Sequence, residues 1–170
     1  MAQSIRDLIH AIKNLVENKS CSVVALVVGE GEQRDSLELE TKNLKGHVVF
    51  AGHIRLSDLR LVYYASDIFV LPTHHDPWGL VINEAMACAL PVITTNAAGC
   101  SLDLVKNNGF VINPGDVPGL SSAIEKLMDA NVRKALGEES RRIISKWTYK
   151  ESLESFEDML SYLYHERMET

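Results

Sequence analysis

Six consecutive apolar residues, Val23 to Val28, are stopped by Gly29 and constrain this chain more than any other stretch. The run is too short for an isolated helix and rich in β-branched residues. It reads as a strand buried on both faces, the kind that belongs to a parallel sheet. Ahead of it, Ile5, Leu8, Ile9, Ile12, Leu15 and Val16 recur at helical spacing. Ser4 and Asp7 are spaced as a capping pair for that opening helix.

The alternation continues along the chain. A helix is expected over 33–44, a strand over 48–50, a helix over 57–65 and a strand over 68–71. Next come a helix over 79–88, a strand over 92–94, a brief helix over 101–105 and a strand over 109–112. Strands then stop, and apolar spacing predicts three closing helices, marked by Leu120 to Met128, Val132 to Ile144 and Leu153 to Leu160. Strand and helix in alternation imply an α/β fold with a doubly wound parallel sheet and right-handed crossovers. Ligands of such sheets bind beyond the carboxyl ends of the strands, so the loops beginning at Gly29, Gly52, Thr73 and Thr95 should share one edge. No internal repeat or linker interrupts the pattern, and residues 1–170 read as one nucleotide-sugar-binding domain.

Composition narrows the function classes. A net charge of -6 and a pI near 5.5 leave no basic stripe for a phosphate backbone, so nucleic acid is not expected as a partner. Cys21, Cys88 and Cys100 are odd in number and form no paired motif, which argues against a disulfide framework or a structural zinc site. No leader pattern or transmembrane run is visible, and a cytoplasmic chain is expected, with peripheral membrane attachment of a complete enzyme left open.

Asp76-Pro77-Trp78-Gly79-Leu80-Val81-Ile82-Asn83-Glu84 places one acid on a turn and a second on the helix that follows. Gly79 and Leu80 would present helix-initial amides to a phosphate, with glycine at 79 leaving room for its approach. Glu84 lies one turn beyond Leu80, where its carboxylate could accept bonds from ribose hydroxyls. Asp76, on the preceding loop, is placed for the sugar. The Trp78 ring is expected to pack beneath the loop, its backbone serving the site. His74-His75-Asp76 invites a metal reading, but adjacent residues rarely share one ion and no further ligand stands at helical spacing, so no metal is expected.

This segment, framed by Ser66 to Thr73 and by Glu84 to Ile93, resembles the donor-binding signature of retaining glycosyltransferases of family four. Val27-Val28-Gly29-Glu30-Gly31 is similar to that family's strand ending in Gly-x-Gly, with Arg34 in the place of a frequent basic residue. Val49-Phe50-Ala51-Gly52 and Asn107 to Val111 are similar to further family segments. The resemblance implies the carboxy-terminal, Rossmann-like half of a GT-B fold. It also implies transfer of a sugar, with retention, from a nucleoside-diphosphate donor. Asp76 would be the catalytic acid; Trp78, Gly79, Leu80, Glu84, Gly29, Gly31, Arg34 and Gly52 would bind the donor. No cofactor beyond that donor substrate is implied. The partners implied are the nucleotide sugar and an amino-terminal acceptor-binding domain or subunit, without which the domain should be inactive.

Departures from the family pattern accompany the match. Asp76 and Asp103 stand where Glu is common, Ala89 where Gly is common, and Ala98-Gly99 where two glycines are common. Gln3-Ser4 stands where the family begins its first helix with Lys-Gly, and the strand expected ahead of that helix is absent from residues 1–170. A non-catalytic binding or scaffold module that keeps the fold is the alternative reading. A nicotinamide-dependent dehydrogenase rests only on Gly29-Glu30-Gly31 and lacks the third glycine and the preceding strand.

Overall fold

A computed structural model describes residues 2–19 and 21–168. Five strands and eight helices appear in it: α1 (Ala2–Lys19), β1 (Ala25–Val28), α2 (Arg34–Glu40), β2 (Val48–Gly52), α3 (Leu56–Tyr64), β3 (Phe69–Leu71), α4 (Leu80–Ala87), β4 (Val92–Thr95), α5 (Ser101–Leu104), β5 (Gly109–Ile112), α6 (Val117–Lys126), α7 (Ala130–Ile144) and α8 (Tyr149–Met168). The expected helix over 33–44 is shorter, with Lys42–Leu44 forming a separate 3-10 turn. All strand pairings are parallel, in two ladders: β1 with β2, and β3 with β4 with β5.

The β3–β4–β5 ladder is doubly wound, because alternate side chains serve different helix layers. Ile93 enters a core with α1 and α6 residues such as Ile12, Leu15, Leu120 and Ile124, and Val70, Phe110 and Ile112 pack against it. Val92 enters a second core with Ile82, Met86 and Leu104 from α4 and α5, joined by Phe69 and Leu71. Every residue of β4 is consequently buried.

The β1–β2 ladder corrects the expectation of a strand buried on both faces. Ala25 is buried toward α1 and α6, and Val48 and Phe50 pack toward Ile9 and Leu37. The opposite face carries Val24, Leu26, Val28 and Val49, all exposed, with Leu26 45% accessible. The apolar run is continuous, but helix covers only one of its faces.

Two local readings are also settled. Ser4 is not an N-cap: α1 already begins at Ala2, Ser4 is buried inside the helix, and Asp7 bonds elsewhere. Asp116 does cap α6, its Oδ1 accepting from the Gly119 amide at 2.9 Å, with Pro118 in the first turn. At the other end of the chain α8 packs its apolar residues on nothing described, since Leu153, Phe156, Met159 and Leu160 are all exposed.

Candidate functional site

The loop leaving β3 is held as a rigid extension of the sheet. Asp76 donates its amide to the Ala97 carbonyl at 3.1 Å and accepts from the Gly99 amide at 3.0 Å, and the Trp78 carbonyl accepts from Cys100 at 3.0 Å. This zips the loop to the one leaving β4 and forms a parallel bridge between Asp76 and Ala98. Glycine is required at 99, since a Cβ there would lie 2.0 Å from the Pro77 carbonyl oxygen. The Thr95 hydroxyl donates to the Thr73 carbonyl at 2.6 Å and closes the base of the two loops.

Within that frame the Asp76 carboxylate is half-buried, and its Oδ1 accepts from the Trp78 amide at 3.0 Å, an Asx-type turn. The Trp78 indole packs against the α4–α5 core, donates to Asn83 at 3.1 Å and meets the Trp147 ring at 5.7 Å. Gly79 occupies a left-handed conformation, φ 89° and ψ 53°, immediately before α4. A side chain there would point at Leu71, Ile82 and Cys100, so the glycine answers to the backbone angle and the core beneath it. Leu80, the first helical residue, is exposed, and the amides of the first turn have no carbonyl behind them in the helix.

Glu84 sits one turn along α4, half-buried, and its Oε2 accepts from the Tyr63 hydroxyl at 2.8 Å. Tyr63 belongs to α3, is almost fully buried, and tilts against Phe69 at 5.9 Å. Burial first, then the Glu84 carboxylate, drives the Tyr63 hydroxyl well above the ordinary tyrosine range. The same two influences, in the same order, raise the Cys88 thiol. Cys100, beneath the Asp76 loop, is pushed up to about 11 by burial and then by the charges of Asp76 and Asp103.

The other predicted residues gather at the carboxyl ends of β1 and β2. Gly29 (φ 124°) donates its amide to Gly52 (φ 70°) at 2.8 Å. The Arg34 amide donates to Gly31 at 3.0 Å. The Arg34 guanidinium lies between Glu30 at 2.7 Å and Glu38 at 2.8 Å and reaches the Phe50 carbonyl at 3.4 Å. Glu38 first, and Glu30 with it, raise its already high pKa. A cavity of about 310 Å³ opens beside this cluster, lined by Ile5, Val27 to Arg34, Leu37 and Phe50. Any anion recruited to Arg34 therefore competes with two carboxylates already in place.

The predicted residues thus form two groups: Asp76, Trp78, Gly79, Leu80 and Glu84 around α4, and Gly29, Gly31, Arg34 and Gly52 around β1 and β2. Helix α1 touches both. Ile5 lines the cavity and Arg6 bonds Glu40 and Gln33 at 3.0 Å each, while the buried Asp7 carboxylate bonds His74 Nε2 at 2.6 Å and accepts from Gln3 at 3.2 Å. Asp7, His74 and Tyr63 were not singled out from sequence for these contacts. A carboxylate set among the apolar residues of α1 was a usable signal for Asp7. Nothing distinguishes Tyr63 from its exposed neighbour Tyr64 except helical phase with Leu59.

Among the described residues no helix is long and apolar enough to cross a membrane. The sequence profile of the glycosyl transferases group 1 family matches residues 1–130. The capsular polysaccharide biosynthesis glycosyltransferase of Staphylococcus aureus is 34% identical over 166 residues, which cover 92% of this chain and 42% of that protein. The sulfoquinovosyl transferase of Arabidopsis thaliana is 30% identical over 72% of this chain and 25% of its own length. The chain therefore spans less than half of either relative. Among solved structures, the sucrose-phosphate synthase of Thermosynechococcus elongatus superposes with a TM-score of 0.76 at 25% identity, covering 95% of this chain and 43% of that one. The S. aureus protein TarM, crystallised with UDP among its ligands, superposes with a TM-score of 0.80 over 91% of this chain and 32% of that one; at 22% identity the likeness is one of fold. The profile match places this chain in the group 1 glycosyltransferase family.

Proposed function

We propose that this chain, a group 1 glycosyltransferase by family, is the donor-binding half of an enzyme that moves a sugar from a nucleoside diphosphate to an acceptor with retention at the anomeric carbon. The observation that carries the reading is the placement of Asp76 to Glu84. An acid on a loop locked to the β4 loop and an acid one turn into α4 flank the amino terminus of that helix at the carboxyl edge of a parallel sheet. In this reading the α4 amides receive the departing diphosphate, whose charge grows as the glycosidic bond breaks. Glu84, held by Tyr63, accepts from the ribose hydroxyls. Asp76 orients the sugar and offsets positive charge developing at the anomeric carbon. Acceptor binding belongs to an amino-terminal domain or subunit, and no metal is required by these steps. UDP in the TarM crystal supports a nucleoside diphosphate as the donor class.

Kinetics of the complete enzyme test the division of labour between the acids. Glu84→Gln should raise the Kd for the nucleotide by about tenfold or more, because an amide offers one neutral acceptor where the carboxylate offers two charged ones. Asp76→Asn should leave nucleotide affinity close to that of the parent and lower kcat, the signature of an interaction made in the transition state. Transfer unchanged in both variants, beside an active parent, would remove the pair from the mechanism and favour a binding module.

A further inference from the structure

The sheet is interrupted where it should be strongest. Among the described residues β1 pairs only with β2, and β3 only with β4. The Ala25 and Gly29 amides donate toward β2, to His47 and Gly52 at 2.8 Å each, so alternation along the strand turns the Leu26 and Val28 amides the other way. The Phe69 amide donates toward β4, to Pro91 at 3.0 Å, which turns the Val70 amide outward likewise. These two open edges belong to one layer. Ala25 and Ile93 share a single core under α1 and α6, with Val70 and Val48 packed against it. Parallel edges left open beneath a shared helix roof are unusual, since exposed rows of N–H and C=O groups are normally covered or blunted.

We propose that β1 and β3 are the walls of a slot filled by a further parallel strand, supplied by polypeptide that leads into α1. Spatial order would then be β2, β1, inserted strand, β3, β4, β5, the doubly wound order in which the first strand lies at the centre. Helix α1 is placed for this connection. Its first turns reach the carboxyl edge of the sheet, where Ile5 lines the cavity at the end of β1 and Asp7 bonds His74 in the loop leaving β3. A parallel strand in the slot would end at that same edge, and α1 would return the chain to the start of β1 as a right-handed crossover. The width also fits. Helices α1 and α6 pack side by side, and a helix spacing of about 8–10 Å spans roughly two strand spacings of about 4.7–4.9 Å. With α6 over β4 and β5, its neighbour α1 reaches β1 only across an extra strand's width. The chemistry of the occupant follows from β4, whose residues Val92 to Thr95 are all buried: about five uncharged, mostly β-branched residues. The relatives are long enough to carry such a segment, this chain matching 42% of the staphylococcal protein. The proposal concerns the sheet and is independent of the nucleotide reading.

Residue-resolved hydrogen exchange tests it on three chains: residues 1–170, the same chain with Val-Val-Ile-Val-Val and a four-residue Gly/Ser loop added before residue 1, and a control bearing the same loop with Ser-Asp-Gly-Asp-Ser. The apolar extension is expected to slow the Leu26, Val28 and Val70 amides by about tenfold or more and to raise Tm in a monomer, with the control matching the parent. The proposal is overturned if both extensions leave those amides at the parent's rates. It is equally overturned if residues 1–170 alone already protect Leu26 and Val28 as well as Ala25 and Gly29, as a monomer whose edges meet or as a dimer whose second copy fills the slot.

Discussion

The two ladders of this chain share a core yet differ in completeness. In β3–β4–β5, Val92 and Ile93 point to opposite helix layers and both are fully buried. In β1–β2, Ala25 is buried while its neighbour Leu26 is open to solvent. Both stretches read as apolar β-branched runs, so composition does not separate them; helix cover does. The chemistry follows the same division. Around α4 the loop carrying Asp76 is bonded at several points to the loop leaving β4, and Glu84 is held by a buried tyrosine. Around β1 the predicted cation Arg34 is held by its own carboxylate neighbours.

Paired truncations measure this contrast most strongly. Ile93→Ala should cost about 2–5 kcal/mol in urea unfolding, because its side chain is wholly enclosed, while Leu26→Ala should cost less than about 1 kcal/mol. Equal losses at the two positions would dissolve the contrast. A smaller effect separates them in alkali. Tyr63 is a group whose folded pKa is raised, so the unfolded chain releases its proton first; stability is full below the ordinary tyrosine value and falls as pH climbs above it. The slope should reach up to about 1.4 kcal/mol per pH unit from this residue, and Tyr63→Phe should flatten it in urea titrations above about pH 10. Cys100, raised to about 11, adds a loss of the same sign beginning near pH 9. A pH dependence identical in Tyr63→Phe and the parent would show that the α3–α4 contact does not shield the hydroxyl.

The smallest effect lies at the end of α4. Ala89 holds φ 59°, with its own amide donating to Met86 at 3.0 Å and the Leu90 amide to Ala85 at 3.1 Å, a Schellman ending that favours glycine. Ala89→Gly should therefore stabilise by about 0.5–1 kcal/mol, relief of the left-handed strain outweighing the added freedom of the unfolded chain. A lower melting temperature in that variant would contradict the strain. This also supplies a reason for the family's glycine at this position: the helix ending asks for it.

Element type was legible throughout because periodicity changes cleanly from helix to strand at each boundary, and the loops that follow β3 and β4 do lie together. Burial was less legible. A run such as Val23 to Val28 records a preference for being covered, whereas the cover is supplied by elements distant in sequence or outside residues 1–170. The site shows the same limit. The acidic pair was visible as a pattern, but the bond from Tyr63 to Glu84 depends on how α3 docks on α4, and the bond from Asp7 to His74 on a contact across 67 positions. Gly79 was expected to make room for phosphate; its angles and the packing of Leu71, Ile82 and Cys100 beneath it require glycine without any ligand.

Titration of isotope-labelled chain with UDP up to millimolar concentration, followed by amide chemical shifts, addresses the proposed donor site most directly. The account predicts weak, saturable binding, since Arg34 is already paired, with the largest shifts at Gly79, Leu80 and Glu84 and a loss of affinity in Glu84→Gln. Shifts confined to other surfaces, or saturable binding unchanged by Glu84→Gln, would contradict it.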